Sequence, residues 1–325
     1  MLFFITSLSD MFKNAKFFQF FLAILCISLI TNQSYAYQSD RNVWKNSSLI
    51  RSDIREHFAL VQNRVKERWQ VFQADRIFIP FEFEKTDAVL EKEFENIRNV
   101  RSSVWTTSGY ELAQHLIIND LVRAPGCVAF AYNNTVPYYN ASTMSINDEY
   151  YIACEGPRSK DVSKFFDVLT TYQVTHLVRL TDAYEGETKK CHPYWEEHLS
   201  ASADGQQLLN ISTDNDVYSI CAFDMSHWRD NQGVDPTQLL ALVLQIKRGI
   251  RDTDSLLLIH CSAGVGRTGT FLAALAIVDA IDQGNPFSIE EIVYRLSLQR
   301  VHSVSKASQY ITLHRLAERY LKEKI

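Results

Sequence analysis

His260-Cys261-Ser262-Ala263-Gly264-Val265-Gly266-Arg267-Thr268-Gly269 places one cysteine and one arginine on opposite rims of a glycine-bearing loop. Just before it, Ser255 to Ile259 is a short apolar run of the kind that forms a buried parallel strand. Just after it, Thr270 to Ile281 is an apolar stretch of helical length. Strand, loop and helix start then form one unit of an α/β fold. Backbone N–H groups of such a loop add to the positive end of the following helix and make a cradle for an anion. The same field favours a thiolate at Cys261. Two other readings compete. A cysteine is often buried for packing alone, but packing asks for neither the glycines at 264, 266 and 269 nor the hydroxyl of Thr268 beside Arg267. A cysteine protease would need a histidine base, and His260 is the chain neighbour of Cys261; neighbours leaving a strand point to opposite faces. His260 is therefore expected to hydrogen-bond nearby backbone and hold the loop.

The chain has 325 residues, 46% of them hydrophobic, which is enough to bury a substantial core, and no repeat or linker-like stretch divides it. One large domain is expected. A net charge of −5 offers no global attraction for nucleic acid or anionic membranes, so a phosphate must be drawn in locally. Near the N-terminus, Lys13 and Lys16 precede an apolar run from Phe17 to Ile30 and a polar stretch ending at Ala36. This reads as a signal peptide over residues 1–36, ahead of a catalytic domain over 37–325. The apolar run is shorter than the roughly twenty residues that span a bilayer, so no stable membrane insertion is expected and the mature chain would be secreted or periplasmic. Cleavage removes Cys26 and leaves Cys127, Cys154, Cys191, Cys221 and Cys261, with no metal-ligand spacing and no dense disulfide framework. Export exposes a reactive thiolate to oxidation; delivery into the cytosol of another cell would remove that conflict.

Elsewhere helices and strands alternate. Ile54, Phe58, Val61, Val65, Trp69 and Phe72 recur at helical spacing, with Asp53 as the cap. Strands are expected at Cys127 to Ala131, Tyr150 to Ala153, Val174 to Leu180 and Val217 to Phe223. Val162, Phe165, Phe166 and Leu169 mark another helix, Asp235 and Pro236 cap and start one, Ser288 starts the next, and Ser305 opens the last.

At its cysteine loop the chain resembles the protein tyrosine phosphatase family, whose signature runs from His-Cys to Arg followed by Ser or Thr. The resemblance extends from about Lys92 to the C-terminus, through Tyr139-Asn140-Ala141-Ser142, Tyr151-Ile152-Ala153-Cys154-Glu155-Gly156-Pro157, Leu180-Thr181, Lys190-Cys191, Tyr194-Trp195 and Gln309-Tyr310, in the family's order. The leader adds the expectation of a secreted, bacterial-type member. The fold implied is a single domain with a twisted mixed β-sheet flanked by helices. The chemistry implied is metal-independent hydrolysis of phosphotyrosine in proteins, with no cofactor, through a cysteinyl-phosphate on Cys261. The phosphate would sit against Ser262, Ala263, Gly264, Val265, Gly266 and Arg267. Expelling an alkoxide or phenolate needs a proton donor, and Trp228-Arg229-Asp230-Asn231-Gln232-Gly233 looks like the family's movable acid loop, which makes Asp230 the acid. Arg229 stands where the family has proline, one extra residue precedes Gly233, and Asp224 and Asp235 compete for the role. Thr268 would donate to the cysteine sulfur, Gln309 would position the water, and Glu185 and Lys190 match the residues that hold the arginine and reach the closed acid loop. The family's earlier water-positioning glutamine is Ser305 here, and Glu155 replaces a glutamine.

Substrate choice is less fixed by the sequence. The tyrosine that sets pocket depth in the family is missing from Ile97-Arg98-Asn99-Val100-Arg101-Ser102-Ser103, read as the matching stretch, leaving Trp105 or Tyr110 to substitute. Arg98 or Arg101 would instead meet acidic groups beside the phosphate. That keeps a phosphoinositide or dual-specificity phosphatase as one alternative and a catalytically weak phosphotyrosine-binding module as another. The uncharged loop residues favour phosphotyrosine.

Overall fold

The computed structural model describes residues 78–104 and 139–324, apart from 148, 204, 214–215 and 251–254, together with positions 63, 66, 67, 69, 70, 72 and 73. The proposed leader, Asp53, the expected strand at Cys127 to Ala131, and Trp105 and Tyr110 lie outside the described residues. Of the helix expected up to Phe72, the described positions are helical. All described residues fall in one compact unit, Glu56–Ile325.

Besides the helical positions before residue 74, nine strands and six α-helices are seen among the described residues. In chain order they are α1 (Asp87–Val104), β1 (Ala141–Ile146), β2 (Glu149–Glu155), α2 (Val162–Thr171), β3 (His176–Arg179), β4 (Tyr184–Glu185), β5 (Thr188–Lys189), β6 (Leu199–Ala201), β7 (Gln207–Ser212), β8 (Val217–Asp224), α3 (Pro236–Gly249), β9 (Leu257–Cys261), α4 (Gly266–Asp282), α5 (Ile289–Gln299) and α6 (Ala307–Lys324). A seven-stranded sheet has the order β1-β2-β9-β3-β8-β7-β6, and β4 and β5 form a separate hairpin. The middle strands β2, β9, β3 and β8 run parallel, and both flanks are antiparallel. The mixed sheet and flanking helices expected from the sequence are thus present.

Every residue of β9 is buried, as a parallel strand covered on both faces requires. Alternation sends Leu257, Ile259 and Cys261 into the main core with α1, α3, α4, α5 and α6. His260 points the other way, against Phe165 of α2 and Tyr194. Helix α4 is buried along nearly its whole length, from Gly266 to Ala280; a helix apolar all round has to sit inside other helices. It begins at Gly266, ahead of the expected start at Thr270, so Arg267 and Thr268 lie in its first turn.

Helix α1 overturns one expectation. Leu90, Phe94 and Ile97 recur on one face and are buried, so the stretch from Ile97 to Arg101, expected to wall the substrate pocket, is part of a helix packed on the core. The expected caps are in place: the Asp235 side chain accepts from the Thr237 amide at 2.8 Å and Ser288 Oγ from the Glu291 amide at 3.3 Å. Among the described residues no helix is long and apolar enough to cross a membrane. Asp235→Ala leaves the α3 amide unpaired and should destabilise the fold by about 1 kcal/mol, read as a lower midpoint in urea unfolding; an unchanged midpoint would show the cap to be idle.

Candidate active site

Strand β9 ends at Cys261, and the chain turns through Gly264 before entering α4. Gly264 has φ 72°, and a Cβ there would strike the backbone of Cys154 and Glu155, so only glycine fits. The turn brings the Gly264 amide to 3.2 Å from Cys261 Sγ. The loop is fastened from outside by Gly156 N donating to Ser262 O at 2.9 Å and by Ser262 Oγ donating to Lys190 O at 2.9 Å. His260 Nδ1 lies 3.1 Å from Cys261 O and Nε2 lies 2.7 Å from Tyr194 Oη. A carbonyl can only accept, so Nδ1 carries the proton and Nε2 accepts from the tyrosine hydroxyl. His260 is consequently engaged on the face away from the sulfur.

Arg267 is wholly buried. Its Nη1 donates to Glu185 Oε1 at 2.8 Å and to Trp228 O at 2.6 Å. The opposite edge of the guanidinium, Nε and Nη2, makes no hydrogen bond, although Nη2 lies 3.3 Å from Asp230 Oδ1. One edge is anchored and the other, which has the geometry to grip two oxygens of an oxyanion at once, is buried with no hydrogen bond made. Thr268 Oγ1 and Gln309 Nε2 are also buried without partners. Gln309 Oε1 accepts from Ser305 N at 2.9 Å, Ser305 Oγ at 3.3 Å and Lys306 N at 3.3 Å, which turns Nε2 toward Gly266. Ser305 therefore helps to orient Gln309.

The β4–β5 hairpin and the acid loop meet over this edge. Glu185 Oε2 accepts from the Asp230 amide at 3.0 Å, so one carboxylate holds both Arg267 and Asp230. Lys190 Nζ donates to Asp230 Oδ2 at 2.9 Å. Burial pushes the Asp230 carboxyl up, but the Lys190 hydrogen bond and the nearby Arg267 outweigh it and hold the group below the usual carboxylate range. Trp228 is buried and its Nε1 closes the loop onto Gln232 O at 2.9 Å. Asn231 takes φ 59°, a left-handed conformation that asparagine tolerates and that absorbs the extra residue before Gly233. Beyond it, Val234 N donates to Thr312 Oγ1 at 3.3 Å and Thr312 Oγ1 donates to Val234 O at 3.2 Å, pinning the loop to α6. The competing carboxylates serve elsewhere: Asp224 pairs with Arg179 at 2.6 Å and Asp235 caps α3.

Neither arginine proposed for the pocket wall does that work. Arg101 is buried and donates to Ser303 O at 2.7 Å and Val304 O at 3.1 Å. Val304 is left-handed at φ 57°, a conformation that costs a non-glycine residue about 1–3 kcal/mol, and Arg101 helps to hold it there. Arg98 is exposed and pairs with Glu95 on the same helix at 3.2 Å. The buried guanidinium of Arg300, which grips the loop from behind, went unread in the sequence. A lone arginine at a helix end carries no local signal of burial. Cys154 and Cys261 are free, buried thiols.

The sequence pattern of the family described as protein-tyrosine phosphatase matches residues 121–213 and 205–319. Among relatives, human receptor-type tyrosine-protein phosphatase C is 30% identical over 207 residues, covering 56% of this chain and 16% of that protein. A Lar-like tyrosine-protein phosphatase of Caenorhabditis elegans is 25% identical over 253 residues, covering 70% of this chain and 12% of that protein. The chain thus spans only a small part of the length of these relatives. Among solved structures, the catalytic domain of human protein tyrosine phosphatase non-receptor type 18 superposes with a TM-score of 0.63 at 20% identity, covering 72% of this chain and 96% of that one. A Trypanosoma brucei protein tyrosine phosphatase gives 0.59 at 22% identity, covering 73% and 92%. With a cysteine, a half-anchored buried arginine and a carboxylate assembled on that fold, and a family pattern matched over more than half its length, the chain belongs to the protein-tyrosine phosphatase family.

Proposed function

We propose that the protein hydrolyses phosphotyrosine in proteins. The observation that carries this reading is the buried Arg267, one edge held by Glu185 and Trp228 O and the other left without a hydrogen bond beside Asp230, in the first turn after the Cys261 loop. Cys261 attacks phosphorus in line and the P–O bond to the leaving group breaks. Arg267 Nε and Nη2 take two phosphoryl oxygens, and loop amides take the charge that builds in the transition state. Asp230 gives its proton to the departing oxygen. Water then attacks the cysteinyl-phosphate, Asp230 takes a proton from that water, and the S–P bond breaks so that the thiolate leaves with release of phosphate. Gln309 Nε2 and Thr268 Oγ1 are the further donors available to the phosphoryl group and the sulfur.

Two observations favour phosphotyrosine over an inositol phosphate. Ser262, Ala263, Val265 and Gly266 bring no charge to the loop, and Arg101, which would have met a second phosphate, is committed to backbone carbonyls. A human phosphatase of similar fold is solved in complex with phosphopeptides, which supports a phosphoprotein substrate. Export remains part of the reading: Lys13, Lys16, the apolar run to Ile30 and Ala36 form a leader pattern, and a reactive thiol then calls for a reducing destination.

Phosphate release from phosphotyrosine peptides, phosphoserine peptides and phosphoinositides, measured side by side under reducing conditions, tests the substrate class; lipid preference would overturn it, and binding without turnover would make the chain a recognition module. Cys261→Ser should bind phosphotyrosine peptide and release no phosphate. Asp230→Ala should lower kcat by about 10²–10⁴-fold for a poor leaving group and far less for a good one; equal turnover with both would remove Asp230 as the acid.

The pH profile carries a sign. Asp230 must be protonated to act as an acid, so activity falls as pH rises through its pKa. Lys190 stabilises the carboxylate, and removing that charge in Lys190→Met raises the pKa. The descending limb of kcat/KM should therefore move to higher pH in the variant. A limb that stays in place, or moves lower, would separate Lys190 from the control of Asp230.

A further inference from the structure

A phosphate loop can aim its N–H groups inward only if its carbonyls point outward, and each buried carbonyl then needs a donor. Cys261 O takes His260 Nδ1, Ser262 O takes the Gly156 amide, and Val265 O takes the amides of Gly269 and Val304. The two remaining carbonyls, at the crown of the turn, are served by one side chain. Arg300 follows α5 and is wholly buried. Its Nε donates to Gly264 O at 2.6 Å and its Nη2 to Ala263 O at 3.2 Å.

The rest of the guanidinium is fixed to the start of β1 and the residue before it. Nη1 donates to Asn140 Oδ1 at 3.2 Å and Ser142 Oγ at 3.0 Å, and Nη2 also reaches Asn140 O at 3.4 Å. Asn140 Nδ2 in turn donates to Glu155 Oε2 at 3.1 Å, at the end of β2 and in register with Cys261. This accounts for the carboxylate at 155. A glutamine there would pair with either end of the Asn140 amide, whereas a carboxylate accepts only, so Asn140 must turn its NH₂ to Glu155 and its oxygen to Arg300.

We infer that Arg300 is a positioning residue for phosphoryl transfer: its fork fixes the carbonyls of Ala263 and Gly264 and so aims the loop amides at the anion, while Asn140 and Glu155 fix the fork. Arg300 touches neither the sulfur nor the phosphate in this role. It acts through the peptide planes of the loop, and its positive charge lies behind the cradle. The inference rests on the phosphatase reading of the site.

The test uses the full chain with Arg300→Lys and Ser142→Ala. Lysine keeps the charge but offers a point rather than a fork, and Ser142→Ala removes one outer acceptor without touching the loop. On each we would measure the thermal midpoint, the dissociation constant for tungstate by calorimetry, and kcat and KM for a phosphotyrosine peptide. Arg300→Lys should remain folded, bind tungstate about 10-fold more weakly, and lose about 10²-fold in kcat with a smaller change in KM, as expected when reacting groups are misplaced by a fraction of an ångström to an ångström. Ser142→Ala should shift the same quantities in the same sense by less, and it decides the matter alone if Arg300→Lys does not fold. Unchanged tungstate affinity and kcat in the folded variants, or an activity loss that only tracks the unfolded fraction, would overturn the inference. An unsubstituted chain that binds no tungstate and releases no phosphate would overturn the phosphatase reading and the inference with it.

Discussion

Peptide planes couple what a loop can offer on one side to what it must satisfy on the other. Between Cys261 and Gly266 the amides are wanted in the cradle, so a run of carbonyls is driven outward into protein, where water is not at hand to pair with them. Much of the surrounding architecture answers that demand. His260 lies beneath Cys261 O, the Gly156 turn after β2 meets Ser262 O, the 300–305 segment delivers Arg300 and the Val304 amide, and α4 supplies Gly269 N from its own first turn. The close approach of Gly264 to the β2 backbone follows from the same arrangement, since the turn must press against its neighbours for these bonds to form.

The positions of charged groups follow from burial. Arg267 and Arg300 are both fully enclosed, and a buried cation left without partners costs several kcal/mol. Arg267 is held by a carboxylate and a carbonyl with one edge left over. Arg300 has its hydrogen-bonding capacity taken up by loop carbonyls, Asn140 and Ser142. One guanidinium is therefore available to a ligand and the other is structural, a distinction made entirely by neighbours.

How much of this was legible beforehand follows from the range of the signals. The strand into Cys261, the helix out of the loop, the caps at Asp235 and Ser288 and the loop itself are local patterns, written in adjacent residues, and they were read from the chain. The pairing of Glu185, Lys190 and Asp230 was expected only through family resemblance, because residues far apart in sequence leave no periodic trace of their meeting. The stretch from Ile97 to Arg101 was misread because an arginine on a helix face looks the same in sequence whether it faces solvent, as Arg98 does, or backbone carbonyls, as Arg101 does. Arg300 was invisible for the same reason. The antiparallel strands β1, β6 and β7 also escaped, since β1 is buried yet built largely of small and polar residues (Ala141, Ser142, Thr143, Ser145) while β6 and β7 are partly exposed, and neither kind gives a strong alternating signal.

The carboxylate of Glu185 bonds at once to a guanidinium in the cradle and to an amide in the acid loop. Ordering of Arg267 and seating of the loop thus share a single group, and thermodynamic linkage makes their influence mutual. Whatever factor an occupied cradle contributes to loop closure, a closed loop contributes equally to retention of the occupant. Affinity for the occupant and closure of the loop are for that reason one coupling free energy seen from two ends, and a substitution of Glu185 would be felt in both.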